Sequence, residues 1–94
     1  MLLKAFPALQ DDDIKVVPSG VPGEDLWLSP AARALLPFTF ELKNVEKLNI
    51  HEALKQAEGH ADKTGFCPIL MFRRNNTPMF VALRAEEFLR LIKR

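Results

Sequence analysis

Cysteine is nearly absent from this sequence, and long apolar runs are missing altogether. Cys67 is the only cysteine, which excludes an internal disulfide and a zinc site built from cysteines. No stretch approaches the roughly 20 apolar residues that a membrane-spanning helix needs. The apolar start of the chain is broken by Pro7, too early for a signal peptide. We therefore expect a cytoplasmic protein without a membrane partner.

Net charge is also small, at +1, and gives no strong indication of a nucleic-acid partner. The charges are unevenly distributed, because the first 30 residues are mainly acidic and the remainder has a basic excess. Such asymmetry occurs on surfaces that face phosphates, and equally on an ordinary solvated surface. The basic part includes Arg33, Lys43, Lys47, Lys55, Lys63, Arg73 and Arg74.

The 94 residues, of which 48% are hydrophobic and 27% charged, are typical of one small globular domain over residues 1–94. Alternating and β-branched patterns predict strands at 14–17, 24–28, 38–44, 67–72 and 79–83. Helical periodicity predicts helices at 2–9 and 85–92, and a longer one that Asn49 caps and Gly65 ends. A brief additional helix is predicted at 31–36, with Ser29-Pro30 at its start. The sequence thus predicts an α/β fold with a mixed sheet of about five strands flanked by helices, in the order αβββαββα.

The strand predicted at 38–44 is the most informative stretch. Phe38, Phe40 and Leu42 alternate with Thr39, Glu41 and Lys43, so we expect an apolar face on the core and a polar face away from it. The polar face carries a carboxylate and an ammonium group two residues apart. Any half-exposed strand shows the same alternation, and that interpretation remains open at this point.

A second acid, Asp25, lies at the start of the preceding predicted strand. If Asp25 lies beside Glu41, the two carboxylates and the carbonyl of Leu42 form an oxygen site suited to Mg²⁺. Such a cation makes bound water easier to deprotonate, and Lys43 would offset negative charge on a phosphate.

An acid followed by Glu-x-Lys on a strand resembles the signature of the PD-(D/E)XK nuclease superfamily. The run from Glu41 to Asn49, with Gly23-Glu24-Asp25 before it and Ala53-Leu54-x-Gln56-Ala57-Glu58 after it, resembles small phage-encoded proteins related to archaeal-type Holliday-junction resolvases. The resemblance implies a restriction-endonuclease-like fold and hydrolysis of DNA phosphodiester bonds, including those of branched DNA, with Mg²⁺ or Mn²⁺. It would place a phage protein in the host cytoplasm.

The resemblance also implies roles for particular residues. The catalytic residues would be Asp25, Glu41, Lys43 and Gln56. Of these, Asp25 and Glu41 would bind metal together with the Leu42 carbonyl, and Gln56 would bind water or substrate. We further expect DNA to contact Ser19, Arg33, Lys47, Lys63, Arg73 and Arg74. The alternative is a non-catalytic nucleic-acid-binding or interaction protein with the same fold, which metal-dependent cleavage would discriminate.

Cleavage of both strands needs two active sites, so we expect a homodimer with two-fold symmetry. Its contact surface is predicted among the apolar residues that a small core cannot cover, namely Trp27, Leu35, Leu36, Met79 and Phe80. His51 is predicted to be exposed and His60 to lie at a helix end. Cys67 is predicted to be a core residue rather than a nucleophile.

Overall fold

The computed structural model describes residues 2–18 and 20–93, and within them the chain forms five strands and four α-helices. The elements in chain order are α1 (Leu2–Ala5), a 3₁₀ turn (Asp11–Asp13), β1 (Ile14–Val16), β2 (Leu26–Leu28), α2 (Pro30–Leu35), β3 (Phe38–Asn44), α3 (Ile50–Ala61), β4 (Cys67–Arg73), β5 (Phe80–Ala82) and α4 (Ala85–Ile92). The predicted α/β class is confirmed. None of these described helices is long and apolar enough to cross a bilayer.

The strands form two sheets rather than the single sheet predicted from the sequence. β1 and β2 make an antiparallel pair, and β3, β4 and β5 make a mixed sheet in that order. β3 and β4 are parallel, whereas β4 and β5 are antiparallel. Because α2 intervenes between β2 and β3, the first three strands do not follow one another directly.

The hydrophobic core lies between the two sheets. Phe40 of β3 and Ile69 and Met71 of β4 pack in one cluster with residues of β2 and α2. Leu26, Leu28, Ala32 and Leu36 supply that second side. The face of β3 that carries Phe38, Phe40 and Leu42 therefore faces the core, as its alternation predicts.

The opposite face of β3, which the sequence predicts to point away from the core, is covered by α3. Thr39 is only 1% exposed and Glu41 only 4% exposed. The reason is the crossover from β3 to the parallel strand β4, which passes through α3 and lays this helix across the sheet. The polar side chains of β3 are thus enclosed between the sheet and a helix.

α3 has well-defined ends and an apolar stripe toward the sheet. The Asn49 side chain accepts a hydrogen bond from the Glu52 backbone N–H at 3.2 Å, as expected of an N-cap. Ala53, Ala57 and Ala61 are buried, and small side chains let the helix approach closely. Past the helix end, Gly65 has φ +77°, a conformation that favours glycine.

The start of α2 is tied to the 3₁₀ turn by two polar side chains. Ser29 Oγ accepts a hydrogen bond from the Ala32 N–H at 3.1 Å and donates one to Asp13 Oδ1 at 2.5 Å. The Gln10 backbone N–H donates to the other Asp13 oxygen at 2.7 Å. These hydrogen bonds, the one from Ser29 first, hold the pKa of Asp13 below its usual value of 3.8.

Candidate functional site

Glu41 is a buried carboxylate held between two basic side chains. Its Oε2 lies 3.0 Å from Nδ1 of His60, and its Oε1 lies 3.7 Å from Nζ of Lys43. The Glu41 side chain is 5% exposed, while His60 and Lys43 are each 31% exposed. A carboxylate removed from water is costly unless it is paired in this way. The three residues therefore form a cluster with a buried centre and a rim that reaches solvent.

Lys43 stands where the sequence predicts it, on the same face of β3 as Glu41. The two residues are separated by one residue, so their side chains leave the same side of the strand. The expected juxtaposition of a carboxylate and an ammonium group is confirmed. The surroundings differ from those expected, because α3 covers Glu41 and leaves Lys43 partly open.

His60 is the site residue that the sequence did not identify. It lies in the last turn of α3, on the flank of the stripe formed by Ala53, Ala57 and Ala61. The position of His60 beside this buried stripe can be read from the sequence. Its contact with Glu41 can be inferred only once α3 is known to cross β3. Since Nδ1 faces Glu41, Nε2 is the ring nitrogen left for another partner.

Asp25 lies against the free edge of β3. Its Oδ2 accepts a hydrogen bond from the Leu42 N–H at 2.8 Å, and its own backbone N–H donates to the Phe40 carbonyl at 3.1 Å. Both contacts are on the edge facing away from β4, because β3 is the terminal strand of its sheet. The carboxylate of Asp25 thus contacts the peptide that joins Glu41 to Leu42, through its N–H.

The donor set is small for a metal site. Across residues 2–18 and 20–93, no group of three or more His, Cys, Asp or Glu side chains is arranged to hold a metal ion. Asp25 accepts from the N–H of the peptide that joins Glu41 to Leu42, whereas both Glu41 oxygens face His60 and Lys43. Mg²⁺ is commonly held by one or two carboxylates with several waters. The residues present therefore do not suit a closed cage of protein ligands, and at most these two carboxylates would be left to hold a hydrated cation.

Gln56 is exposed and lies one helical turn before His60 on α3. Residues four apart lie on the same side of a helix, about 6 Å apart along its axis. Among the described residues, the Gln56 side chain makes no hydrogen bond to Asp25, Glu41 or Lys43. It is near the site along the helix without being joined to it.

Most of the residues predicted to contact DNA are exposed, namely Lys47, Lys63, Arg73 and Arg74. Arg33 is an exception to its expected surface position. Its guanidinium pairs with Glu24 at 2.9 Å, donates to the Phe38 carbonyl and lies 4.4 Å from the ring centre of Phe66. The Arg33 side chain is only 16% exposed. Ser19 lies outside the described residues.

Cys67 is half-buried at the start of β4, beside a cleft of about 750 Å³ between α3 and α4. Burial, together with a hydrogen bond to Glu87 and the negative charge of that residue, raises the pKa of the Cys67 thiol to about 11. A thiol of this pKa is protonated at neutral pH and is a poor nucleophile. The cluster at Glu41 is therefore the stronger candidate for chemistry.

Comparison of the chain with protein-family models, with curated proteins and with solved structures gave no match.

Proposed function

We propose that the chain is a metal-dependent endonuclease that hydrolyses DNA phosphodiester bonds at the face of β3 carrying Glu41 and Lys43. The observation that carries this proposal is the burial of Glu41 between Lys43 and His60. Asp25 is nearby and accepts a hydrogen bond from the N–H of Leu42, the next residue of β3. Buried ionised groups lower the stability of a fold unless they are well compensated. A buried cluster of charged side chains is therefore expected mainly at functional sites.

Within the α/β class, we propose the restriction-endonuclease-like fold. Two features support it: β3 and β4 are parallel and joined through α3, and Asp25 reaches β3 from the segment that leads into β2. In this arrangement one acid comes from each of two successive strand segments. The sequence motif Glu-x-Lys then lies in the second half of β3, an edge strand of the three-stranded sheet.

The roles follow from the chemistry of each group. Asp25 and Glu41 would hold Mg²⁺ or Mn²⁺, which acidifies a bound water when present. Lys43 would stabilise the negative charge that grows on the phosphate. Nε2 of His60 would accept the proton that the attacking water loses, because Glu41 fixes the other ring nitrogen. Water would add to phosphorus as its proton passes to His60, one P–O bond would break, and the leaving oxygen would take up a proton from solvent water.

The test is a cleavage assay on linear, nicked, flap and four-way-junction DNA, each with Mg²⁺, Mn²⁺ or a chelator. We expect cleavage with either metal and none with the chelator, with branched DNA as the preferred substrate. Failure to cut any of the four substrates with either metal would contradict the proposal.

A second candidate function is a nucleic-acid-binding protein without catalysis. It is favoured by the engagement of both Glu41 oxygens by His60 and Lys43, and of one Asp25 oxygen by the backbone. Under this alternative the polar cluster only stabilises the packing of α3 on β3. The same assay separates the two candidates, because such a protein would bind the DNA and leave it intact with metal present.

We also propose a two-fold homodimer, which would supply the second active site. Of the predicted contact residues, Leu36 is buried in the core, whereas Trp27 and Leu35 are 48% and 46% exposed. A more continuous apolar surface is the stripe on α4 formed by Phe88, Leu89 and Ile92. These side chains are 52%, 48% and 62% exposed, and no residue of α4 is buried.

The α4 stripe is self-complementary in charge, which favours a second copy of the chain as its partner. Glu86 and Lys93 lie seven residues apart on the same flank of the helix. In an antiparallel pairing of two α4 helices, Glu86 of one copy lies near Lys93 of the other, twice over. An eight-residue helix buries less than the roughly 800 Å² per partner of a standard interface, so the dimer should be weak.

A further inference from the structure

An aromatic row continues the candidate site across the sheet. Lys43 of β3 is opposite Phe72 of β4, and Phe72 is opposite Phe80 of β5. Paired residues on neighbouring strands have side chains on the same face. Both rings are therefore on the face that carries Glu41 and Lys43. Their centres are 6.0 Å apart, with an angle of 32° between the ring planes.

The row is open to solvent instead of being covered by α3. Phe80 is 53% exposed, and both phenylalanines line a surface groove of about 470 Å³. The remaining apolar walls are Val45, Leu48, Ile50 and Pro78. α3 begins at Ile50 and runs back toward the other end of β3, so it leaves this end of the sheet uncovered. An exposed apolar surface of this kind indicates a binding site.

The rim of the groove favours an anionic ligand. Arg73 and Arg74 line it and are exposed, and neither forms an ion pair within residues 2–18 and 20–93. The only acid in the lining is Glu46, whose Oε1 accepts a hydrogen bond from the Asn75 N–H at 2.8 Å. The turn that bears the arginines is closed by Thr77, whose hydroxyl accepts from the Arg74 N–H at 3.1 Å.

We propose that Phe72 and Phe80 form a stacking platform for an unpaired nucleobase, with Arg73 and Arg74 on the adjoining phosphates. Aromatic rings beside basic side chains are the means by which proteins bind single-stranded nucleic acid. This inference rests on the proposed function, because the platform's position beside Lys43 matters only if Lys43 belongs to a nuclease site. It adds the form of the substrate, namely DNA that presents unpaired bases next to the phosphate to be cut.

A second copy of the chain is the competing occupant, since Phe80 was among the residues predicted to form the dimer contact. A two-fold interface presents the same patch from both copies. Centred on this groove, it would bring Arg73 and Arg74 of both copies together, and their like charges would repel. The nucleic acid is favoured because its phosphates neutralise those charges.

The test measures the affinity of labelled single-stranded and duplex oligonucleotides of equal length, with chelator present so that cleavage plays no part. Phe80→Leu keeps an apolar side chain and removes the ring, and Val81→Ala, a neighbouring residue that is 54% exposed, is the control. We expect Phe80→Leu to weaken single-strand binding about tenfold and to leave duplex binding unchanged. Val81→Ala should alter neither, and Phe80→Trp should retain single-strand binding.

Three outcomes would overturn the platform: wild-type protein that does not bind the single strand, Phe80→Leu that binds it like wild type, or Phe80→Leu that converts a dimer to a monomer in light scattering. The last would assign the groove to a second copy. The nuclease proposal is tested independently, because binding is measured with chelator present. A protein without metal-dependent cleavage would contradict the nuclease proposal and leave the binding result unaffected. A melting curve for each variant verifies that it is folded.

Discussion

At the scale of single residues, Asp13 links the stability of the fold to pH. Hydrogen bonds from Ser29 and Gln10 lower the pKa of Asp13 in the folded protein. A carboxyl with a lowered pKa stabilises the fold above its unfolded pKa, and this contribution is lost as pH falls through the folded value. We therefore expect Asp13→Asn to lower Tm at pH 7, and the difference from wild type to shrink below about pH 4.

Thermal melts from pH 7 down to pH 2 measure this effect. Asp11→Asn is the matched control, because Asp11 is an exposed neighbour whose carboxylate makes no side-chain hydrogen bond among the described residues. Its Tm should follow wild type throughout. A Tm deficit of Asp13→Asn that stays constant down to pH 2 would show that the hydrogen-bonded carboxylate is not its source.

Some placements in the site could be predicted from neighbouring residues in the sequence, and others depend on how distant segments pack. Glu41 and Lys43 could be placed together from the sequence, because a spacing of two on a strand fixes their common face. The burial of Glu41 and the contact with His60 could not, because both depend on the path of α3 over β3. Arg33 shows the same limit, since its pairing with Glu24 depends on how α2 packs.

At the scale of secondary structure elements, α3 is the element on which the candidate site depends, because it covers Glu41 and carries His60. We expect Asn49→Ala to destabilise the protein by about 1 kcal/mol, since it removes the side chain that accepts from the Glu52 N–H. Urea unfolding measures the change. His51→Ala, at an exposed position in the first turn, should cost much less, and equal losses for both variants would contradict the capping role.

Element boundaries were largely predictable because their signals are local. Phe38–Asn44, the Asn49 cap of α3 and the Ser29-Pro30 start of α2 all appear as the sequence predicts. How strands associate was not predictable. β1 and β2 pair only with each other, and Asp25, instead of a further strand, occupies part of the free edge of β3.

At the scale of the whole molecule, the proposed dimer is weak and should dissociate on dilution. We therefore expect the measured molecular mass to fall as the protein concentration is lowered. Leu89→Glu places a charge in the α4 stripe, and we expect it to be monomeric at concentrations where wild type is partly dimeric. Val16→Glu is the control, because Val16 is an apolar residue that is 74% exposed on β1. Light scattering over a dilution series measures the effect. A dimer that persists in Leu89→Glu would exclude α4 as the contact.

The central claim is that Glu41 and Lys43 form a metal-dependent hydrolytic site, and DNA cleavage by matched variants tests it most directly. Glu41→Gln preserves the size of a buried side chain and removes its charge, and Lys43→Met does the same for the ammonium. Glu52→Gln and Lys55→Met, at exposed positions on α3, are the controls. The substrate is a four-way junction, with Mg²⁺ or a chelator.

We predict that wild type and both controls cut the junction with Mg²⁺ and not with chelator. Glu41→Gln and Lys43→Met, folded by circular dichroism, should each cut at least about 100-fold more slowly. Cleavage by Glu41→Gln at the wild-type rate, or wild-type cleavage that persists unchanged in chelator, would contradict the claim.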